Sequence, residues 1–295
     1  MSDPTALDTV LQQARRVRVG DSAGRPNGLV DAEFEVDLAA PADLARLRAA
    51  LAVDSLPGLT CMCMGDVLFE FLDAGARPLT RVVLHHGASL RWPGWEGDAV
   101  LRDGRSLLDW LAEHGAPGPL RQFEEHRRQA EQARHEREDW LAALPPELAD
   151  LTDHLLAPSR TGGSVPGDLL TELARRVTEA RPEPADRALA LLAWSGAGSG
   201  RCSGYPSHEG TPGELLRHLP IEEIIVALQD PRAERRHFDG AVRHLVGWRS
   251  REDQQRDIAA IPLSLRVVLL HYGRATDDTD KRARAEQWLA GQEQS

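Results

Sequence analysis

The sequence has few cysteines and no long apolar segment. Three cysteines among 295 residues are an odd number, which excludes a framework of paired disulfides and fits thiols kept reduced in the cytoplasm. No stretch approaches the roughly 18 consecutive apolar residues of a membrane helix. Residues 1–18 also lack the basic start and apolar run of a secretion signal. We therefore expect a cytoplasmic protein with no membrane partner.

Positive charge and two residue types are also scarce. The chain has 35 basic and 46 acidic residues, for a net charge of −11. Such a field repels phosphate backbones, so we expect no nucleic-acid partner and favour a protein partner with a basic surface. Lys281 is the single lysine and Asn27 the single asparagine, a bias typical of GC-rich coding and hence of a high-GC bacterium.

The spacing of apolar residues divides the chain into three parts. Residues 1–116 predict an α+β domain, with a small antiparallel sheet and helices, because a helix, two strands, a helix, a hairpin and a helix follow one another. Residues 33–38 alternate acidic and apolar side chains, the period of a half-buried strand. A loop rich in Gly, Asn and Pro precedes them, and Gly115 has the position of a left-handed helix stop.

The second and third parts are expected to be helical. Residues 117–144 predict a long, charged bridging helix, and residues 145–295 an irregular α-helical domain. A HEAT-like array is the alternative for this domain, although no fixed repeat period is present. A glycine-rich loop at residues 195–210 interrupts the helices and is longer than most helix connections.

The predicted hairpin at residues 61–92 contains two cysteines and the pair His85-His86. Successive side chains of a strand alternate faces, so Cys61 and Cys63 share the apolar face and one histidine at most joins them. A turn centred on Gly75 places His86 there. Since thiolates and imidazoles are zinc ligands, this pattern predicts a candidate zinc site.

A structural zinc site needs four protein ligands, whereas a catalytic site uses three and a water molecule. Cys202 and His208 are the candidates to complete a set with Cys61, Cys63 and His86. The alternative is that no cofactor binds and the cysteines are buried as small apolar side chains. A Cys61–Cys63 disulfide is disfavoured, because residues two apart on one strand face lie near the upper limit of Cα separation.

A break in the strand at Gly65-Asp66 would change this interpretation. A bulge or tight turn there alters which side chains share a face and directs Asp66 towards His85 or His86. Such a carboxylate–imidazole pair orients a general base. The alternative is that Asp66 caps its own turn and the histidines pack beneath nearby tryptophans.

Two further segments are candidate binding surfaces. The glycine-rich loop resembles a nucleophile elbow at residues 200–204, but a predicted helix precedes it where the elbow needs a strand. We expect it to contact a partner through Arg201, Tyr205 and His208. Trp92 and Trp95 flank a predicted turn and are either an exposed recognition surface or core side chains.

Together these patterns favour a non-catalytic, intracellular bacterial protein that binds another protein as an adaptor, regulator or immunity-type factor. The alternative is a zinc- or cysteine-dependent hydrolase centred on Cys61, Cys63 and His86. The two hypotheses differ in whether these side chains converge on one point in the folded chain.

Overall fold

The computed structural model describes residues 3, 5–22 and 29–290. The chain divides into two compact units, Met1–Ala130 and Glu131–Ser295. The first unit contains a seven-stranded antiparallel sheet, and the second is helical, so the predicted fold class is confirmed. The loop predicted before residue 33 includes residues 23–28, which lie outside the described residues.

The first unit combines the sheet with three short helices and the start of a fourth. The strands are β1 Arg16–Asp21, β2 Phe34–Asp37, β3 Val53–Ser55, β4 Val67–Leu72, β5 Pro78–His85, β6 Ser89–Arg91 and β7 Ala99–Leu101. The short helices are α1 Ala6–Leu11, α2 Pro41–Ala50 and α3 Gly104–Glu113. In the sheet the strands have the order β2-β1-β4-β5-β6-β7-β3.

The period-2 pattern of the strands produces one buried and one charged face. Val19 pairs with Phe69, which pairs in turn with Val82, and all three side chains are fully buried in the core. On the next register position Arg18, Glu70 and Arg81 pair across the same strands and form ion pairs. Opposite charges on neighbouring strands suit the face that the core does not cover.

Three short strands were not anticipated from the sequence. β3, β6 and β7 have three residues each, too few to show a period, and they exist because neighbouring strands supply their hydrogen bonds. The hairpin is also shorter than predicted, since β4 begins at Val67 rather than at residue 61. Gly115 does follow α3 with a φ of +96°, as the sequence predicts.

The remaining elements are helical. The long predicted helix is α4 Gly118–Ala142, and the boundary between the two units falls within it. The later α-helices are α5 Thr152–Thr161, α6 Gly167–Ala180, α7 Pro184–Ser195, α8 Thr211–Leu216, α9 Ile221–Gln229, α10 Arg235–Val246, α11 Arg251–Ala260, α12 Leu263–Arg274 and α13 Thr279–Leu289. Among the described residues, none of the helices has both the length and the apolar character needed to cross a membrane.

The helical unit has a core of its own. Trp140 and Trp194 are fully buried with their rings 4.9 Å apart, and they share one core with buried apolar residues of α7, α9, α10 and α12. The loop after α7 ends in a 3-10 turn at Ser207–Gly210. Part of the predicted glycine-rich loop is therefore regular structure that leads directly into α8.

Candidate metal centre

The cysteine-bearing segment lies outside β4, which begins at Val67, and the chain turns at Gly65 just before the strand. This glycine has a φ of +88°, a backbone conformation that L side chains rarely adopt. A Cβ atom there would meet Val83 Cγ1 at 2.1 Å and His85 Nε2 at 3.1 Å. Gly65 therefore lets the chain turn close against β5, and Cys61 and Cys63 are not bound by the alternation of a strand.

The two histidines leave β5 in different ways. His85 is the last residue of the strand and is fully buried, whereas His86 is exposed and has a φ of +53°. The carboxylate of Asp66 accepts a hydrogen bond from the backbone N–H of His86 and holds this turn. The expectation that only one imidazole reaches the cysteines assumed continuous strands, and both reach them here.

Four donor atoms consequently meet at the end of the hairpin. Cys63 Sγ lies 3.0 Å from Cys61 Sγ, 3.0 Å from His85 Nδ1 and 3.3 Å from His86 Nε2. Cys61 Sγ is 3.5 Å from His86 Nε2. The ligand atoms of Cys61, Cys63 and His85 all lie within 4.8 Å of one another. Among the described residues no other set of three or more possible metal ligands is as compact, and His86, which contacts both sulfur atoms, does not belong to this set.

An ion pair between the half-buried Arg91 and the buried Asp98 holds the backbone of the cysteine segment. Asp98 is 6% exposed, and its carboxylate accepts the backbone N–H of Cys61 at 2.7 Å. Arg91 binds the same carboxylate at 2.8 and 3.0 Å and donates to the carbonyl oxygens of Cys61 and Cys63 at 2.5 and 3.3 Å. Asp98 and Arg91 contact the cysteine segment only at the backbone atoms of Cys61 and Cys63, so the thiol groups remain available as ligands.

The surroundings of the two thiols shift their pKa values in opposite directions. Hydrogen bonds from the side chain and backbone N–H of Cys63, followed by one from His86, lower the pKa of Cys61 to about 7. Burial and the bond to Cys61 raise the pKa of Cys63. Burial lowers the pKa of His85, which keeps its imidazole neutral and available as a ligand.

The donor set suits zinc. Two thiolates and two imidazoles are the ligands of common structural zinc sites, with Zn–S distances of about 2.3 Å and Zn–N distances of about 2.0–2.1 Å. The four measured separations of 3.0–3.5 Å are shorter than the roughly 3.5–3.8 Å that these bond lengths require for sulfur–sulfur and sulfur–nitrogen pairs around a tetrahedral ion, so the donor atoms would move apart slightly to admit one. His85 was not among the candidate ligands predicted from the sequence because strand alternation excluded it, and the positive φ values of Gly65 and His86 bring it within reach of Cys63.

Cys202 and His208, the proposed additional ligands, have separate surroundings in the second unit. Cys202 is 3% exposed within the helical core, and burial raises the pKa of its thiol to about 11. His208 contacts the Ser159 hydroxyl through Nδ1 at 2.7 Å and packs edge-on against Trp140. Both side chains therefore have local partners that account for their positions.

The two tryptophans of the predicted turn are packed rather than free. Trp95 is 7% exposed and belongs to the core of the first unit, and its indole N–H donates to the carbonyl of Asp3. Trp92 is half-buried against it and donates to the Thr80 hydroxyl at 2.6 Å. Their placement matches the core alternative.

The glycine-rich loop forms one wall of a cavity of about 500 Å³ in the helical unit. Arg201 and Tyr205 are exposed on this loop, whereas Glu209 is buried and pairs with Arg243 at 2.9 Å. Glu209 also accepts hydrogen bonds from the backbone and hydroxyl of Ser199. These buried charges fix the loop, and sequence spacing did not reveal them because 34 residues separate the pair.

Comparison with models of known protein families, with curated proteins and with solved structures found no match for this chain.

Proposed function

We propose that the first unit binds one zinc ion through Cys61, Cys63, His85 and His86. The observation that carries the proposal is that the other three donor atoms all lie 3.0–3.3 Å from Cys63 Sγ. Four protein ligands leave no position for a reactive water molecule, so the site would be structural. The ion would tie the cysteine segment to the end of the β4–β5 hairpin.

A structural ion agrees with a non-catalytic role. We propose that the protein is an intracellular bacterial interaction factor, in a reducing cytoplasm that keeps all three cysteines as thiols. The net charge of −11 favours a partner with a basic surface. In the second unit, the exposed Tyr205 and Arg201 on the glycine-rich loop are the candidate contacts.

Metal analysis tests the zinc site directly. Protein purified without a His tag is expected to contain about one zinc ion per chain, and Cys63→Ala should abolish binding. Cys202→Ala is the matched control, because it removes the third thiol but belongs to the other unit. If the purified protein is folded but contains no metal and binds neither Zn²⁺ nor Co²⁺, the proposal is wrong.

The histidines distinguish a closed site from an open one. His86→Ala should weaken zinc binding if four protein ligands hold the ion, and His126→Ala, which changes an exposed histidine of α4, should not. Full zinc retention by His86→Ala would indicate three ligands and a water molecule. That result would favour the hydrolase class over the structural role.

A cysteine-dependent hydrolase is the second candidate, because Cys63 Sγ and His85 Nδ1 are 3.0 Å apart, the separation of a nucleophile and its base. His85 Nε2 is buried, however, and has no hydrogen-bond partner among the described residues, so a third orienting group is lacking. Turnover of ester or peptide substrates that is lost in Cys63→Ser but kept in zinc-free protein would support this class.

A partner can be tested by reconstitution. A protein co-purified from the native cell is produced separately and its affinity measured for wild-type chain, Tyr205→Ala and the surface control Arg175→Ala. We expect Tyr205→Ala to bind the partner more weakly than the wild-type chain, and Arg175→Ala to bind it with unchanged affinity. Equal affinity in all three would place the interface elsewhere.

A further inference from the structure

The two candidate zinc ligands Cys61 and Cys63 are close enough to react with each other. Their sulfur atoms are 3.0 Å apart. The sequence argument against a disulfide assumed an extended strand, but residues 61–66 lie before β4 and follow an irregular path. The geometric objection to a bond between them therefore does not apply to the folded chain.

The cysteine segment is also accessible to small reagents. Both thiols are partly exposed, and the intervening Met62 is 100% exposed. The segment is held at its backbone by Asp98 and Arg91, so the segment can keep its position when the sulfur atoms change partners. The third thiol, Cys202, is 3% exposed in the second unit and is not a candidate partner.

We propose that zinc binding at this site is regulated by oxidation, with a peroxide converting Cys61 and Cys63 to a disulfide that releases the ion. The inference rests on the proposed zinc site. It assigns the pair of thiols a regulatory role in addition to ligation, so that the metal-bound form exists only under reducing conditions.

The chemistry balances with one peroxide molecule. One thiolate attacks a peroxide oxygen, the O–O bond breaks, and a sulfenic acid and a hydroxide ion form. The second thiolate attacks the sulfenic sulfur, the S–S bond forms, and a second hydroxide ion leaves. Two electrons pass from sulfur to oxygen, solvent protons convert both hydroxide ions to water, and the zinc ion loses its two thiolate ligands.

The test oxidises zinc-loaded protein with hydrogen peroxide while a chelating dye reports released zinc. We expect one zinc ion released per disulfide, a tryptic peptide carrying both cysteines that has lost two hydrogen atoms, and full rebinding after a thiol reductant and zinc are added. Cys202→Ser should behave as wild type, whereas Cys61→Ser should form no disulfide.

Three results would overturn the inference. Zinc could remain bound at peroxide concentrations that oxidise the exposed Met62, or leave with a sulfinic acid on one cysteine, or leave with a disulfide to a second chain. Failure of the zinc site itself is distinguishable, because it appears as absent zinc before any oxidant is added. Disulfide formation in that metal-free protein would then be a thiol reaction without metal regulation.

Discussion

Gly65 allows the sharpest quantitative prediction about the site. In Gly65→Ala, a φ of +88° costs about 1–2 kcal/mol for a residue with a Cβ atom. The added Cβ would also lie 2.1 Å from Val83 Cγ1, a β-branched side chain on β5 that cannot swing away, and overpacking of this kind costs about 1–3 kcal/mol. We expect a loss of about 2–5 kcal/mol in the free energy of unfolding, and weaker zinc binding.

Gly58→Ala separates the two contributions. Gly58 also has a left-handed φ, of +71°, but nothing lies within 4 Å of its would-be Cβ atom, so only the backbone cost of about 1–2 kcal/mol applies. Urea denaturation gives the free energies, and hydrogen exchange of β4 and β5 amides assigns the loss to the first unit.

A second substitution tests the contact itself. Val83→Ala removes the methyl group that the new Cβ would meet, so the double variant Gly65→Ala/Val83→Ala should be less destabilised than the sum of its parts. Equal destabilisation by Gly65→Ala and Gly58→Ala, with no coupling to Val83, would refute the reasoning that close approach to β5 requires glycine.

Three other outcomes are expected. Asp98→Asn removes the charge that holds Arg91 and the Cys61 amide, and should weaken zinc binding about 10–100-fold with little change in overall fold; unchanged affinity in a competition assay would show that the segment is held otherwise. Glu209→Gln leaves the guanidinium of Arg243 buried without its carboxylate and should destabilise the second unit by about 3–5 kcal/mol in urea; a loss below about 1 kcal/mol would contradict this. Burial, followed by the charge of Arg249, lowers the pKa of His244 from its usual 6.5 to about 3, so between these values the unfolded chain binds a proton that the folded unit excludes, and stability falls as pH falls. Between pH 6.5 and pH 5 the protonation of His244 in the unfolded chain should lower the free energy of unfolding by about 2 kcal/mol, and His244→Gln should not show this part of the pH dependence. The same pH dependence of the free energy of unfolding in both proteins would contradict the prediction.

The sequence predicted elements whose signal is local. The alternation around Phe34 and Val36 predicted β2, and the charged composition of residues 117–144 predicted the long helix α4. β3, β6 and β7 could not be predicted, because a strand of three residues is defined by the neighbours that bond to it.

The candidate site was predictable as residue types but not as geometry. Cys61, Cys63 and His86 were predicted as candidate ligands, and a site was expected to require either a break in register at Gly65-Asp66 or a ligand from Cys202 or His208. The inclusion of His85 could not be derived, since it requires the φ of both Gly65 and His86. The burial of Trp95 likewise depends on contacts such as that with Asp3, 92 residues away.

The short sequence separation of the candidate zinc ligands has a consequence for the entropy of folding. Cys63 and His85 are 22 residues apart, on either side of a single hairpin, so closing this loop costs little chain entropy. The cavity of the second unit, in contrast, depends on pairs such as Cys202 with Asp278, 76 residues apart. Closing the loop of 22 residues therefore costs about 1 kcal/mol less chain entropy than closing the loop of 76 residues, so the candidate zinc ligands are the less costly of the two sets to bring together.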